Sequence, residues 1–178
     1  MATLYGWLIG FGLVIFLAFL IESIGLGGYQ FFIGIGVGVG LGYVQARVTR
    51  LHFGIGYPWM YATIFGLGFS FVLFDLGHKY SGFIPEYNLF YSIALGGLLT
   101  SLTQYFLLRR IFRHAVLWIP ISTLGWVVSG ALIRFTETLK NFGIDGLPAA
   151  IIVLIILTVG ASLVLGTITG IGMNKISS

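Results

Sequence analysis

Residues 34–42 read GIGVGVGLG, five glycines at alternate positions among Ile, Val and Leu. Three structures compete for such a stretch: a phosphate-cradling loop, a strand with one bare face, or a helix stripped of bulk. The loop fails on spacing. A dinucleotide fingerprint needs its third glycine where Val39 or Leu41 stands, and no Lys-Ser/Thr pair follows to make a P-loop. The choice between strand and helix depends on the medium around the stretch, which the rest of the chain decides.

That medium is lipid. Of 178 residues, 58% are hydrophobic and only 8% charged, where soluble domains carry roughly 25% charged residues. Mean hydropathy is +1.04. Leu4–Ile21, Tyr29–Ala46, Trp59–Phe74, Leu89–Leu108, Ala115–Ile133 and Leu147–Ile171 contain no charged side chain. Most match the roughly 17–25 residues of a membrane-crossing helix, and Gly56-Tyr57-Pro58 lengthens the short third run. The expected fold is therefore all-α: one transmembrane domain over residues 1–178, with six spans near 4–21, 29–46, 57–75, 89–108, 115–133 and 147–171. The opening MATLYGW lacks a basic region and IESIGLGG lacks a small-x-small cleavage site, so the first run reads as a retained span.

In lipid an isolated strand leaves its backbone polar groups unpaired, so 34–42 reads as helix. Its glycines then fall into two stripes, Gly34, Gly38 and Gly42 on one face and Gly36 and Gly40 on another. Glycine weakens a water-exposed helix by about 1 kcal/mol relative to alanine, but in a membrane it lets two backbones approach closely. The second span is thus expected to be gripped on two sides. Gly66, Gly97, Gly125, Gly166 and Gly170 are expected to pack helices in the same way.

With six spans the loops alternate sides. One side holds Arg47, Arg50, Arg109, Arg110, Arg113 and Lys175 without an acid; the other holds Lys79, Arg134 and Lys140 with all five acids, Glu22, Asp75, Glu86, Glu137 and Asp145. The positive-inside rule counts only Lys and Arg and places both termini in the cytoplasm, which points to the cytoplasmic membrane of a prokaryote. The net charge of +4 follows from this asymmetry. No aromatic-basic platform accompanies the arginines, so nucleic acid is not an expected partner.

Shifting the chain by 59 residues overlays Tyr29–Asp75 on Asn88–Arg134. The overlay makes Phe31/Phe90, Gly38/Gly97, Gln45/Gln104, Arg50/Arg109, Phe53/Phe112, Trp59/Trp118, Gly66/Gly125, Ser70/Ser129 and Leu73/Leu132 identical. The coincidence of the scarce types Gln, Arg and Trp suggests parallel helical-hairpin repeats. Spans six and one could form a third, circularly split unit, with Trp7 near the end that Trp59 and Trp118 occupy.

LTQYFLLRRIFRHAVLWIPISTLGW, residues 102–126, resembles a set of bacterial multi-pass membrane proteins with Gln-aromatic-x-x-Leu-Arg motifs. In those a Trp and then Leu-Gly-Trp follow in the next helix. Gln104, Leu108, Arg109, Trp118 and Leu124-Gly125-Trp126 carry the match; Tyr105 stands where that set has Trp. The resemblance implies a polytopic fold and no particular activity.

Several side chains have two readings. Gln45 and Gln104, about a turn inside the boundary, either bond across helices or contact a ligand or lipid headgroup. Arg50, Arg109, Arg110 and Arg113 set topology and anchor anionic lipid at about 1 kcal/mol per charge, or hold a phosphate-bearing ligand. Trp59 and Trp118 are candidate contacts beside them, and Trp126, in mid-span, either lines a cavity or packs on glycines. Asp75-x-x-His78 is a faint metal or proton signature, and residues 134–145 read as a short amphipathic interfacial helix.

No ionisable residue stands at the middle of any span, where proton relays and ion-coupled transporters place theirs. Ser70 and Ser129 have no base nearby in sequence, and the chain has no cysteine. No catalytic residue, metal or cofactor is therefore expected. The expected role is non-enzymatic: a packing or assembly subunit partnered by other membrane subunits or by itself, or a holder of lipid or another apolar ligand. A small transporter or channel for a neutral or apolar solute is the alternative, with Thr100, Ser101, Thr103, Ser122, Thr123 and Ser129 lining its path.

Overall fold

The computed structural model describes residues 2–25, 29–81, 88–140 and 159–177, and its regular elements there are helical. They are α1 (Ala2–Ser23), α2 (Phe31–Phe53), α3 (Tyr57–Ser81), α4 (Asn88–Leu108), a 3₁₀ turn (Ala115–Leu117), α5 (Trp118–Lys140) and α6 (Ala161–Ser177). Among the described residues, five helical stretches are long and apolar enough to cross a membrane: Thr3–Ser23, Phe31–Phe53, Tyr57–Tyr80, Leu89–Leu108 and Ala115–Leu132. Of the expected sixth span, residues 147–158 lie outside the described residues. The helix described there runs beyond residue 171 to Ser177. Residues 134–140, expected in a separate interfacial helix, continue α5 without a break, and Asp145 lies outside the described residues.

Local chemistry explains the helix ends. Pro58 and Pro120 fall in the first turns of α3 and α5, where a missing N–H has no helical partner to lose. α2 ends at Gly54, whose φ of 71° is the left-handed conformation that glycine adopts without steric cost. The N–H of Gly54 then donates to the Arg50 carbonyl and that of Ile55 to Thr49. The start of α2 is capped from a neighbouring helix. The carboxylate of Asp75 on α3 accepts from the N–H of Gln30 at 2.9 and 3.0 Å and of Phe31 at 2.8 Å. A negative charge there also complements the positive end of the helix dipole.

Each helix packs on its neighbours in the chain, and α6 returns to touch α1 along a shorter seam, which closes the bundle into a ring. A core of Trp7, Val37, Leu41, Leu67, Phe71, Ile93, Trp126, Ala161 and Leu165 takes residues from all six helices and fills the middle. A second cluster, including Ala46, Ile55, Trp59, Leu108, Trp118 and Ile176, lies at the end where the arginines of α2 and of the α4–α5 connection sit, here termed the basic end. Large apolar side chains such as Ile15, Phe16, Phe19, Phe65 and Leu163 point away from the bundle. In water such a surface would drive aggregation; in hydrocarbon it is solvated.

The glycines of 34–42 divide between two neighbours. A Cβ at Gly36 or Gly40 would fall against Val14, or against Gly6 and Gly10, on α1; one at Gly34, Gly38 or Gly42 would fall against Leu67, Ile64 or Met60 on α3. Likewise Gly66 faces the Thr100 backbone on α4, Gly97 faces Trp126, Gly125 faces Leu165 and Ile168, and Gly166 faces Thr3. Gly170 differs, since a Cβ there would meet nothing within 4 Å.

Candidate cavity at the basic end

Two tryptophans and two glutamines organise the basic end. The indole N–H of Trp59, at the start of α3, donates to Gln45 Oε1 on α2 at 3.1 Å. That of Trp118, at the start of α5, donates to Gln104 Oε1 on α4 at 3.0 Å. The two rings meet edge to face, so the pairs form one layer across the bundle.

The two clasps end differently. Gln104 is 2% exposed, and its amide nitrogen donates to Thr63 Oγ1 on α3 at 3.1 Å; Thr63 in turn donates to the Trp59 carbonyl at 3.0 Å. Every polar atom of that glutamine is engaged. Gln45 is only half-buried, and among the described residues nothing accepts from its amide nitrogen.

Gln45 instead borders a cavity of about 280 Å³. Thr3 of α1 and Gln45, Val48, Thr49, His52 and Phe53 of α2 form one wall; Gly166, Thr169, Gly170 and Met173 of α6 form the other, and Trp59 and Trp118 border it on the side of the tryptophan layer. The hydroxyl protons of Thr49 and Thr169 are committed to backbone, to Ile55 O at 2.7 Å and Leu165 O at 2.6 Å. Among the described residues the wall thus carries no Asp, Glu, Lys or Arg, much apolar surface, and a few polar groups without a partner there: the Gln45 amide N–H₂, the Thr3 hydroxyl and Nε2 of His52, whose Nδ1 meets the Val48 carbonyl. Such an open, largely apolar chamber with few polar groups suits an apolar or amphiphilic molecule.

A second, wholly apolar cavity of about 70 Å³ is lined by residues that include Trp7, Phe11, Gly34, Phe71, Leu89 and Trp126. It shares no lining residue with the larger one. Trp126 packs over Gly97 and also borders this void.

The arginines stand outside the chamber. Arg109, Arg110 and Arg113 are exposed, Arg109 with its guanidinium 4.7 Å above the Phe106 ring. Arg47 and Arg50 border an open groove of about 590 Å³ with Tyr43, Leu51 and Tyr57. Asp75, half of the faint Asp-x-x-His signature, is occupied by the α2 cap.

Sequence reasoning paired neither glutamine with its tryptophan, although each lies fourteen positions upstream of it. Thr63 carried a signal, one turn beyond Trp59 on the same helical face. Thr3, Thr169 and Met173 carried none, because only closure of α6 on α1 brings them to Gln45. Comparison with family models, curated proteins and solved structures returns no match.

Proposed function

We propose that this chain is a non-enzymatic, six-span membrane protein that holds an apolar or amphiphilic ligand in the chamber bordered by Gln45, Trp59, Trp118 and Thr169. The cavity of about 280 Å³ carries the proposal; it approaches the roughly 300–1,000 Å³ of ligand pockets and shares their mixture of apolar wall and few polar groups. The glycine stripes of α2 face α1 and α3 within the bundle, which favours ligand holding over assembly through those stripes.

In this reading both termini and the basic end face the cytoplasm, and the arginines lie at the headgroup level of anionic lipid. The two Trp–Gln clasps belong to a duplicated helical hairpin. The likeness to multi-pass proteins with Gln-aromatic-x-x-Leu-Arg helices fits the same architecture.

A conduit for a neutral solute is the competing role. The separation of the two cavities speaks against it, with Leu41, Leu108 and Leu165 fully buried in the bundle. The test is flux through the purified protein alone in liposomes, using glycerol and a short-chain alcohol as solutes. A holder leaves the leak of empty liposomes unchanged; saturable flux would overturn the proposal.

A further inference from the structure

We infer that the amide of Gln45 is the reading head of this chamber, and that its ligand is a neutral amphiphile whose polar end is a hydrogen-bond acceptor, such as an ester or amide carbonyl. The inference rests on the chamber being a ligand site, and it adds the chemical class of the ligand and the residue that selects it.

Two glutamines of this bundle make the same first contact and differ in the second. Gln104 and Gln45 each accept an indole N–H from the tryptophan fourteen residues later. Gln104 then donates one amide hydrogen to Thr63. Gln45 has no such partner among the described residues; it faces the cavity instead. The Gln45 amide N–H₂ is half-buried beside apolar wall, placed to donate to an acceptor bound there. A ligand supplying an acceptor would complete the second clasp as Thr63 completes the first.

The other polar groups of the wall sharpen the class. Thr49 and Thr169 have given their protons to carbonyls and present only lone pairs. Among the described residues no Asp, Glu, Lys or Arg borders the cavity, and its remaining polar groups are the Thr3 hydroxyl and the His52 ring, whose Nδ1 meets the Val48 carbonyl. Phe53, Met173 and the two indoles suit a hydrocarbon or ring body. Thr3 sits against Gly166 at the short α1–α6 seam, and both border the chamber.

The two indoles make the test optical, because a bromine atom in the chamber quenches their fluorescence. The full-length protein in detergent is titrated with methyl 11-bromoundecanoate, 1-bromoundecane, 11-bromoundecanoate and 11-bromoundecyltrimethylammonium. Gln45→Glu, which keeps an oxygen for the Trp59 N–H but removes the amide donor, is the diagnostic variant, and Gln45→Met is the second. The expected result is saturable quenching by the ester, tighter than by the bromoalkane and by either ion. Both variants weaken the ester by about fivefold, the scale of one neutral hydrogen bond, and leave the bromoalkane unchanged. If ester and alkane bind alike and neither variant separates them, the chamber remains a ligand site but Gln45 does not read an acceptor. If no probe quenches saturably, the chamber is not a ligand site and both readings fall.

Discussion

Trp59 and Trp118 meet edge to face, with ring centroids 5.5 Å apart and planes at 62°, and each sends its indole N–H to a glutamine on the preceding helix. This contact joins α3 to α5 and, through the glutamines, binds α2 and α4 into the same layer. Edge-to-face pairs contribute about 0.5–1.5 kcal/mol beyond their burial, and interhelical hydrogen bonds in membranes about 0.6–2 kcal/mol. The layer therefore holds the basic end together while leaving the Gln45 amide N–H₂ without an acceptor among the described residues.

The asymmetry between the clasps should appear in stability. Gln104→Leu strands the buried Trp118 N–H and removes the bond to Thr63; leaving a buried donor unpaired costs about 1–3 kcal/mol. Gln45→Leu should cost less, because its clasp borders a cavity. Thermal unfolding in detergent orders the two variants, and an equal or reversed order would contradict the burial assigned to Gln104.

The glycine contacts predict a sharp contrast within one substitution type. Gly40→Ala places a methyl group against the backbone of Gly6 and Gly10, and overpacking of this kind costs about 1–3 kcal/mol. Gly12→Ala meets nothing within 4 Å and should be neutral or stabilising by up to about 1 kcal/mol through helix propensity. A neutral Gly40→Ala would mean that α1 does not sit this close to α2.

Asp75→Ala should loosen the start of α2, because three backbone-to-carboxylate contacts disappear. A lost cap costs about 0.5–2 kcal/mol. Hydrogen exchange should accelerate at the amides of residues 30–34 while the middle of α3 keeps its protection. Uniform acceleration would indicate a global loss instead.

Orientation is read by labelling, since the chain has no cysteine. A single cysteine in place of Tyr80, which is exposed near the end of α3, should react with an impermeant maleimide in intact cells. One in place of Leu51, exposed at the basic end, should react only after permeabilisation. The reverse pattern would invert the proposed orientation.

The helices were the most legible part of the sequence because long apolar runs report burial or lipid directly. The alternate glycines pointed to two faces by helical geometry alone, and the residues they meet lie on α1 and α3. The 59-residue offset matched Gln45 with Gln104 and Trp59 with Trp118, the four groups of the two clasps. It could not tell them apart, since the difference between the glutamines lies in Thr63 and in the chamber wall. That wall joins Thr3 to Thr169 from near opposite ends of the chain, and no local pattern encodes such a meeting. Gly170 looked like its fellow glycines in sequence, yet it borders space. Asp75 carried no cap signature because its partner helix begins forty-four residues upstream.

That open space at Gly170 allows the most direct test of ligand holding. Gly170→Phe puts a ring into the chamber from a position where a Cβ meets nothing, so the fold should tolerate it while the cavity fills. The measurement is native mass spectrometry of the protein extracted from its own membrane in a mild detergent. The account predicts a stoichiometric adduct of one neutral amphiphile on the native chain and its loss from Gly170→Phe at unchanged thermal stability. A bare native chain, or an adduct that persists in Gly170→Phe, would contradict it.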